Sequence, residues 1–304
     1  MDGILIVDKP ADFTSFDVIA KIRGMLKTKK VGHGGTLDPM ATGVLPILVG
    51  KATKTMDILP CQDKKYIAGF SLGICTDTQD ITGKIIKQTD DFSVSLEELS
   101  EKLNAFAGKI QQIPPMYSAV QKDGVRLYDL ARQGVEVERD PRTVTVYSID
   151  ILSYDPDLKK GELEIHCSKG TYVRTLISDI GDALGCGGVL TSLRRTMASG
   201  YTLETAITLE EAQTLTDSGK LENSLLPIES AFTSYPVVFV SQAQARRFTS
   251  GGSLDTKRIT IRAKSEFYRI KYNKTFLGLG TIKAGEMSIY RLFYSGGGKF
   301  ENNQ

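Results

Sequence analysis

A short glycine-rich segment of this chain presents a single carboxylate between a histidine and a proline. The segment is GHGGTLDPMATGVLPILVGKATK, residues 32–54, and its carboxylate is Asp38. The glycines before it let the backbone approach a bulky ligand, and Pro39 restricts Asp38 to extended backbone conformations. A carboxylate aimed so rigidly suits a nucleophile or an electrostatic stabiliser. The alternative is structural, because an Asp-Pro pair commonly opens a turn.

Other kinds of site fit the segment less well. A phosphate-binding loop of the form G-x-x-x-x-G-K-[ST] fails, because a leucine stands five residues before Gly50 and an alanine follows Lys51. The chain has only two histidines, His33 and His166, and its four scattered cysteines are expected to be free thiols. We therefore expect no metal. A glycosidase usually places two carboxylates around the bond, and only one is evident here.

The bulk composition is that of an ordinary soluble globular protein. Hydrophobic residues make up 41% of the chain and charged residues 24%. The net charge of +2 is compatible with nucleic-acid binding but does not by itself indicate it. No apolar run reaches about 18 residues, so no membrane span is expected. The apolar run near the start is too short for a secretion signal, so we expect a cytoplasmic protein.

The elements that must position Asp38 are strands and capped helices. GILIVD predicts a buried strand, and TSFDVIAKIRGMLK after it predicts a helix with a Thr/Ser cap. The clearest helix is SVSLEELSEKLNAFAG, in which Ser95 and Glu98 form a capping box and Gly108 ends the helix. A further helix is predicted to begin within GTYVRTLISDIGDALGCG, residues 170–187.

The sequence of residues 111–142 predicts a segment that projects from the core. A Pro-Pro break, an Asp-Gly turn and a short amphipathic helix suggest a projecting hairpin and helix that would clamp a ligand. Near Tyr235 the pattern changes to short strands rich in aromatic and β-branched residues. We therefore divide the chain into residues 1–234 and 235–304, and expect the tail GGGKFENNQ to be disordered.

Taken together, these motifs resemble one family. The aspartate segment is similar to that of the tRNA pseudouridine-55 synthases, the TruB family of RNA uridine isomerases. The other segments that carry the resemblance, in the family's order, are GILIVDKPADFTSFD, KKYIAGFSLG, IPPMYSAVQKDGVRLYDLARQG, EIHCSKGTYVRTLISDIGDALGCGG and LRRT. The part from Tyr235 onward resembles, less closely, the PUA-type RNA-binding domain that ends many such enzymes.

The resemblance implies a fold and an activity. The implied fold is α+β, with a large mixed, mainly antiparallel sheet flanked by helices and a small β-rich PUA-like C-terminal domain. The implied reaction isomerises uridine 55 in the T loop of tRNA to pseudouridine without cofactor or metal. The implied partner is the T-arm stem-loop of tRNA, bound by a monomer without membrane attachment. An RNA-binding chaperone that helps tRNA to fold, independently of catalysis, is the alternative function.

The family's functional residues correspond to positions in this sequence. Asp38 matches the catalytic aspartate, Tyr66 the tyrosine that lies against the target base, and Arg174 the arginine that pairs with the aspartate. Such a pair keeps a carboxylate charged and oriented. Asp80 is the expected second partner of the arginine. The positions assigned to substrate binding are His33, Tyr66, Tyr172, Leu193 and Asp80.

Basic residues outside this set are candidates for phosphate contact. They are Lys21, Arg23, Lys27, Lys29, Lys30, Arg194 and Arg195. A run such as KTKK is equally typical of a solvated helix end, so both interpretations stay open.

Overall fold

A computed structural model of the chain describes residues 1–294 and 296. The strands are β1 (Gly3–Lys9), β2 (Val31–His33), β3 (Thr42–Val49), β4 (Lys64–Leu72), β5 (Ile74–Thr76), β6 (Ile85–Gln88), β7 (Gly108–Gln112), β8 (Gln121–Lys122), β9 (Val125–Arg126), β10 (Arg142–Asp155), β11 (Lys160–Cys167), β12 (Gly188–Ala198), β13 (Tyr201–Thr202), β14 (Val237–Phe239), β15 (Leu254–Asp255), β16 (Tyr268–Tyr272), β17 (Thr275–Lys283) and β18 (Glu286–Leu292). The α-helices are α1 (Ser15–Met25), α2 (Leu96–Asn104), α3 (Leu127–Arg132), α4 (Val173–Ala183), α5 (Leu209–Asp217) and α6 (Gln242–Thr249). Short 3-10 helices occupy Gly50–Thr55, Leu203–Thr205, Leu221–Ser224, Ile228–Phe232 and Thr256–Arg258.

A nine-stranded sheet forms the body of the protein. Its main order is β1-β3-β12-β4-β11-β10-β7, with β2 beside β3 and β13 beside β12. All of these pairs are antiparallel except β12 with β3, which is parallel. The predicted α+β fold with a large mixed, mainly antiparallel sheet is therefore confirmed.

Helices cover this sheet and bury two main apolar clusters. One cluster places Leu99 of α2 and Leu176 of α4 with Phe70 of β4, and the other places Val18 of α1 with Leu45 of β3. Tyr66 and Leu193, two of the positions predicted to bind substrate, belong to the first cluster.

Capping residues define where these helices begin. The Ser95 hydroxyl accepts a hydrogen bond from the Glu98 amide, and the Glu98 carboxylate accepts one from the Ser95 amide, as the sequence predicts. The end of α2 differs from the prediction, since the helix stops at Asn104. Gly108, expected to end the helix, instead begins β7 with a φ of +94° and pairs with Val146 of β10. The pairing of the edge strand thus overrides the helical pattern of the last residues.

The excursion at residues 111–142 contains the predicted hairpin and helix. Strands β8 and β9 pair across Asp123 and Gly124, which both have positive φ, as a tight hairpin turn requires. Helix α3 follows at once, and the chain returns to the sheet at Arg142. We call residues 111–142 the clamp.

A second, five-stranded sheet lies beyond residue 235. Its order is β14-β16-β17-β18-β15, and α6 packs on it around Phe248. This sheet also shares a cluster with the first, in which Leu279 and Phe293 pack with Ile4 around the fully buried Phe232. The expected disordered tail falls outside the described residues, apart from Gly296.

Candidate active site

The loop between β2 and β3 holds Asp38 and is fastened at several points. The Ser15 hydroxyl accepts a hydrogen bond from the Leu37 amide at 2.9 Å and donates to the Leu37 carbonyl at 3.2 Å. The carbonyl of Pro39 accepts from the Asp12 amide at 2.9 Å and from the ammonium of Lys9 at 3.1 Å. Asp38 is therefore flanked on both sides by anchored backbone.

Lys9 donates one of the hydrogen bonds that anchor this loop, a role that the sequence analysis did not predict. Its ammonium lies in the interior and donates to the carbonyls of Pro10, Phe13 and Pro39. Burial lowers the pKa of Lys9 to about 8. The Lys-Pro dipeptide in the opening segment was the sequence signal for this role.

Arg174 meets Asp38 in a two-point ion pair. Its Nε lies 2.9 Å from Oδ2 of Asp38, and Nη2 donates to Oδ1 at 3.4 Å. The Arg174 side chain is 5% exposed, whereas that of Asp38 is 36% exposed. The carboxylate is thus bound by a buried guanidinium and is itself partly exposed to solvent.

The remaining donors of Arg174 join three further parts of the chain. Nη1 donates to the carbonyl of Thr78 at 3.0 Å, and Nη2 donates to that of Tyr117, in the clamp, at 2.9 Å. Asp80 lies 3.6 Å from Nη1, which is the second carboxylate expected for this arginine. Asp80 in turn accepts from the hydroxyls of Thr78 and Thr82. Arg174 therefore connects Asp38, the 76–84 turn and the clamp.

Tyr66 lies on β4, directly opposite Arg195 of β12, and its side chain is buried. Burial raises the pKa of Tyr66 to about 12, while the charge of Arg195 and a hydrogen bond with it act in the opposite direction. Asp38 also influences this pKa, which places the two candidate catalytic groups in one electrostatic environment. The Tyr66 hydroxyl is therefore protonated at neutral pH.

His33 is the last residue of β2, and Tyr172 immediately precedes α4. The Nδ1 atom of His33 accepts from the Gly35 amide at 3.3 Å, and burial, followed by the charge of Arg195, lowers the pKa of His33. Tyr172 caps α4, and its backbone exchanges hydrogen bonds of 2.8 and 3.1 Å with the side chain of Gln112. Gln112, a buried residue at the clamp's base, was not predicted from the sequence.

One prediction about the basic residues is wrong. Arg195, a candidate for phosphate contact, has no solvent exposure, whereas the Arg194 side chain is 42% exposed and pairs with Asp8 at 2.7 Å. Consecutive residues of a strand point to opposite faces, so two adjacent arginines on a central strand cannot both reach solvent. This alternation was the signal that would have placed one of them inside.

The described residues show neither a metal-binding cluster nor a membrane-spanning helix. They contain no group of three or more His, Cys, Asp or Glu side chains placed to hold a metal ion. None of the described helices is long and apolar enough to cross a membrane.

Comparison with known families identifies the chain. The model of the TruB family pseudouridylate synthase N-terminal domain matches residues 23–173, and that of the tRNA pseudouridylate synthase B C-terminal domain matches residues 174–233. This chain belongs to the TruB family of pseudouridylate synthases. It is accordingly an enzyme, an isomerase that acts on RNA uridine.

Similar proteins and structures agree with this membership. The chain is 42% identical to tRNA pseudouridine synthase B of Clostridium kluyveri over 96% of its own length and 100% of that protein. It is 48% identical to the protein of the same name from Alkaliphilus oremlandii, over 93% and 94% of the two chains. A Cbf5-Nop10-Gar1 complex contains a chain of 27% identity with a TM-score of 0.72, covering 96% of this TruB-family chain and 85% of that one.

Proposed function

We propose that this protein converts uridine 55 in the T loop of tRNA to pseudouridine, with Asp38 as the catalytic carboxylate. The observation that carries the proposal is the ion pair between Asp38 and the buried Arg174, which orients the carboxylate and leaves it partly exposed. The relatives that are 42% and 48% identical to this TruB-family chain are named tRNA pseudouridine synthase B, which supports tRNA as the substrate.

The reaction moves the uracil without changing its composition. The bond between C1′ and N1 breaks, and C1′ forms a bond to C5. C5 loses its proton and N1 gains one, so the composition is unchanged. Asp38 acts either by attacking C1′ or by taking a proton from the sugar, and both routes need an ionised carboxylate. Arg174 fixes the direction of the carboxylate through its two contacts.

The side chains around Asp38 suit a base that has left its stack. Extracting a base costs a few kcal/mol, and an aromatic side chain returns about 1–3 kcal/mol when a base stacks on it. We assign this role to His33, Tyr66 and Tyr172, with Leu193 as the apolar contact. Because the Tyr66 hydroxyl stays protonated at neutral pH, we assign it to contact with the base and to a hydrogen-bonded path for the C5 proton.

Three further features support a folded RNA as the substrate. The clamp projects from the body and meets the active site through the Tyr117 carbonyl on Arg174. The modest net charge of +2 suits binding by shape more than coating of an extended strand. We assign RNA binding also to residues 235–304, as a PUA-like domain, and expect one protein molecule to act on one T arm.

The test is a reaction with tRNA transcript that carries tritium at C5 of its uridines. We expect tritium release equivalent to one uridine per tRNA, and mapping of the product should place pseudouridine at position 55. Absence of release, or a product at another position, would contradict the proposal. A T-arm stem-loop with uridine 55 replaced by cytidine is the matched control and should release no tritium.

A further inference from the structure

Arg195 lies where the strands that carry the candidate catalytic groups come together. On β12 it is paired with Gly43 of β3 on one side and with Tyr66 of β4 on the other. Gly43 has a φ of +104°, and a Cβ there would lie 2.2 Å from the Arg195 carbonyl oxygen. The backbone of Arg195 therefore leaves no room for a side chain at position 43. Arg195 is thus adjacent both to the strand that follows Asp38 and to the strand of Tyr66.

The guanidinium of Arg195 fastens both ends of the Asp38 loop. Nε donates to the Val44 carbonyl at 2.7 Å, after the loop. Nη1 donates to the Thr36 carbonyl at 3.2 Å, and Nη2 donates to that of Gly35 at 3.1 Å, both before Asp38. A planar fork can reach three carbonyls that lie apart in this way, whereas a lysine ammonium, like that of Lys9, can donate only to carbonyls that converge on one nitrogen.

The charge of Arg195 is unusual for a side chain that only fastens a loop. Among the described residues it forms no ion pair, and its burial is offset by hydrogen bonds to backbone carbonyls and to the Tyr66 hydroxyl. Burying an unpaired charge is costly, so a neutral donor would be the cheaper fastening. The charge does act on neighbouring side chains: after burial it is a further cause of the lowered pKa of His33, Lys9 and Lys64, and it opposes the burial that raises the pKa of Tyr66.

We propose that Arg195 is a positioning residue that fixes Asp38 and Tyr66 relative to each other. The inference rests on the proposed function and extends it. Neutral His33 accepts the Gly35 amide through Nδ1, which a protonated imidazole cannot do. The fork therefore sets the geometry of the loop. Burial, with the charge of Arg195 as the second cause, lowers the pKa of His33 and so favours the neutral imidazole that accepts this hydrogen bond.

Two substitutions separate these contributions. Arg195→Lys keeps the charge and loses the fork, so single-turnover pseudouridine formation at saturating enzyme should fall about 10- to 100-fold through misplacement of Asp38. Its His33 pKa should stay low. Arg195→Met loses both, so the rate should fall at least as far and the His33 pKa should rise. Arg195→Gln provides a second neutral variant that keeps a donor.

The His33 pKa can be measured directly, because the chain has only two histidines. A proton NMR titration in a His166→Gln background leaves the imidazole signal of His33 alone. The other charged groups around the pocket are Lys9 on β1, Asp38 on the loop and Lys64 on β4, and none changes between the variants. A shift seen with methionine or glutamine but not with lysine therefore reports the charge of Arg195.

Arg269, whose side chain is 17% exposed, is the control for the loss of an arginine outside the candidate site. It donates to the Tyr235 carbonyl at 2.8 Å and pairs with Glu229 at 3.1 Å, on the second sheet. Arg269→Lys should lower the unfolding temperature and leave the single-turnover rate and the His33 pKa unchanged. An Arg195→Lys rate within threefold of the parent, or a His33 pKa unmoved in both neutral variants, would overturn the inference. Because the titration needs no turnover, an inactive parent would refute the proposed function separately.

Discussion

Replacement of Arg174 by lysine should slow the reaction about a hundredfold while binding of the RNA persists. Arg174 directs two contacts to Asp38, at 2.9 and 3.4 Å, and the single nitrogen of lysine, which takes the place of the guanidinium carbon, matches the position of neither donor. A hydrogen bond to a charged group contributes about 1.5 kcal/mol at the lower end of its range. Loss of two such contacts is about 3 kcal/mol, and each 1.36 kcal/mol corresponds to about a tenfold change in rate.

Replacement of Arg174 by methionine should also destabilise the fold. Asp80 is buried and would lose its only cationic partner in the described chain, and breaking a buried pair costs about 3–5 kcal/mol. The hydroxyls of Thr78 and Thr82 remain on Asp80, so the lower end of this range applies. Adding Asp80→Asn should restore part of the stability, because the uncompensated charge is then removed, but none of the rate.

The assay is single-turnover tritium release at saturating enzyme, with urea unfolding on the same preparations. The reasoning would be refuted by an Arg174→Lys enzyme within threefold of the parent rate. It would equally fail if Arg174→Met unfolds at the same urea concentration as the parent, or if Asp80→Asn lowers the stability of Arg174→Met further.

Three other predictions concern substrate, domain and pH. An isolated T-arm stem-loop should react with nearly the rate of tRNA, and oligouridine should react at least tenfold more slowly at equal concentration; equal rates would contradict recognition by shape. Deletion of residues 235–304 should weaken tRNA affinity but keep the single-turnover rate at low temperature. It should also lower the unfolding temperature, because it uncovers Phe232. A folded truncation that binds normally but does not react would contradict this. Burial lowers the pKa of His33, so the unfolded chain binds a proton below about pH 6.5 more readily than the folded one, and stability should fall as pH drops from 7 to 5. The His33→Gln enzyme should show a flatter profile in thermal unfolding, and an identical slope would show that His33 is not the titrating group.

The sequence was informative wherever a local pattern determined the outcome. The capping box at Ser95 and the Asp-Gly turn in the clamp both follow from residues within a few positions of each other. Asp38 and Arg174 lie 136 positions apart, and only the family resemblance brought them together before the structure did.

The sequence was uninformative where a role depends on the interior of the sheet. Arg195 has the same chemistry as Arg194, and only the position of β12 between β3 and β4 decides which of the two is buried. Gln112 reads as a polar residue at the start of a loop, yet it secures the backbone of Tyr172. Such roles follow from long-range pairing, which no local pattern specifies.

The most direct test of the central claim is the rate of Asp38→Asn. Asparagine keeps nearly the same shape and the same turn-forming hydrogen bonds, but it lacks the charge that the sugar chemistry needs. Single-turnover tritium release from C5-labelled tRNA should fall by several orders of magnitude, while tRNA binding and the unfolding temperature stay close to those of the parent. A folded Asp38→Asn enzyme that releases tritium within about tenfold of the parent rate would show instead that Asp38 only forms a turn.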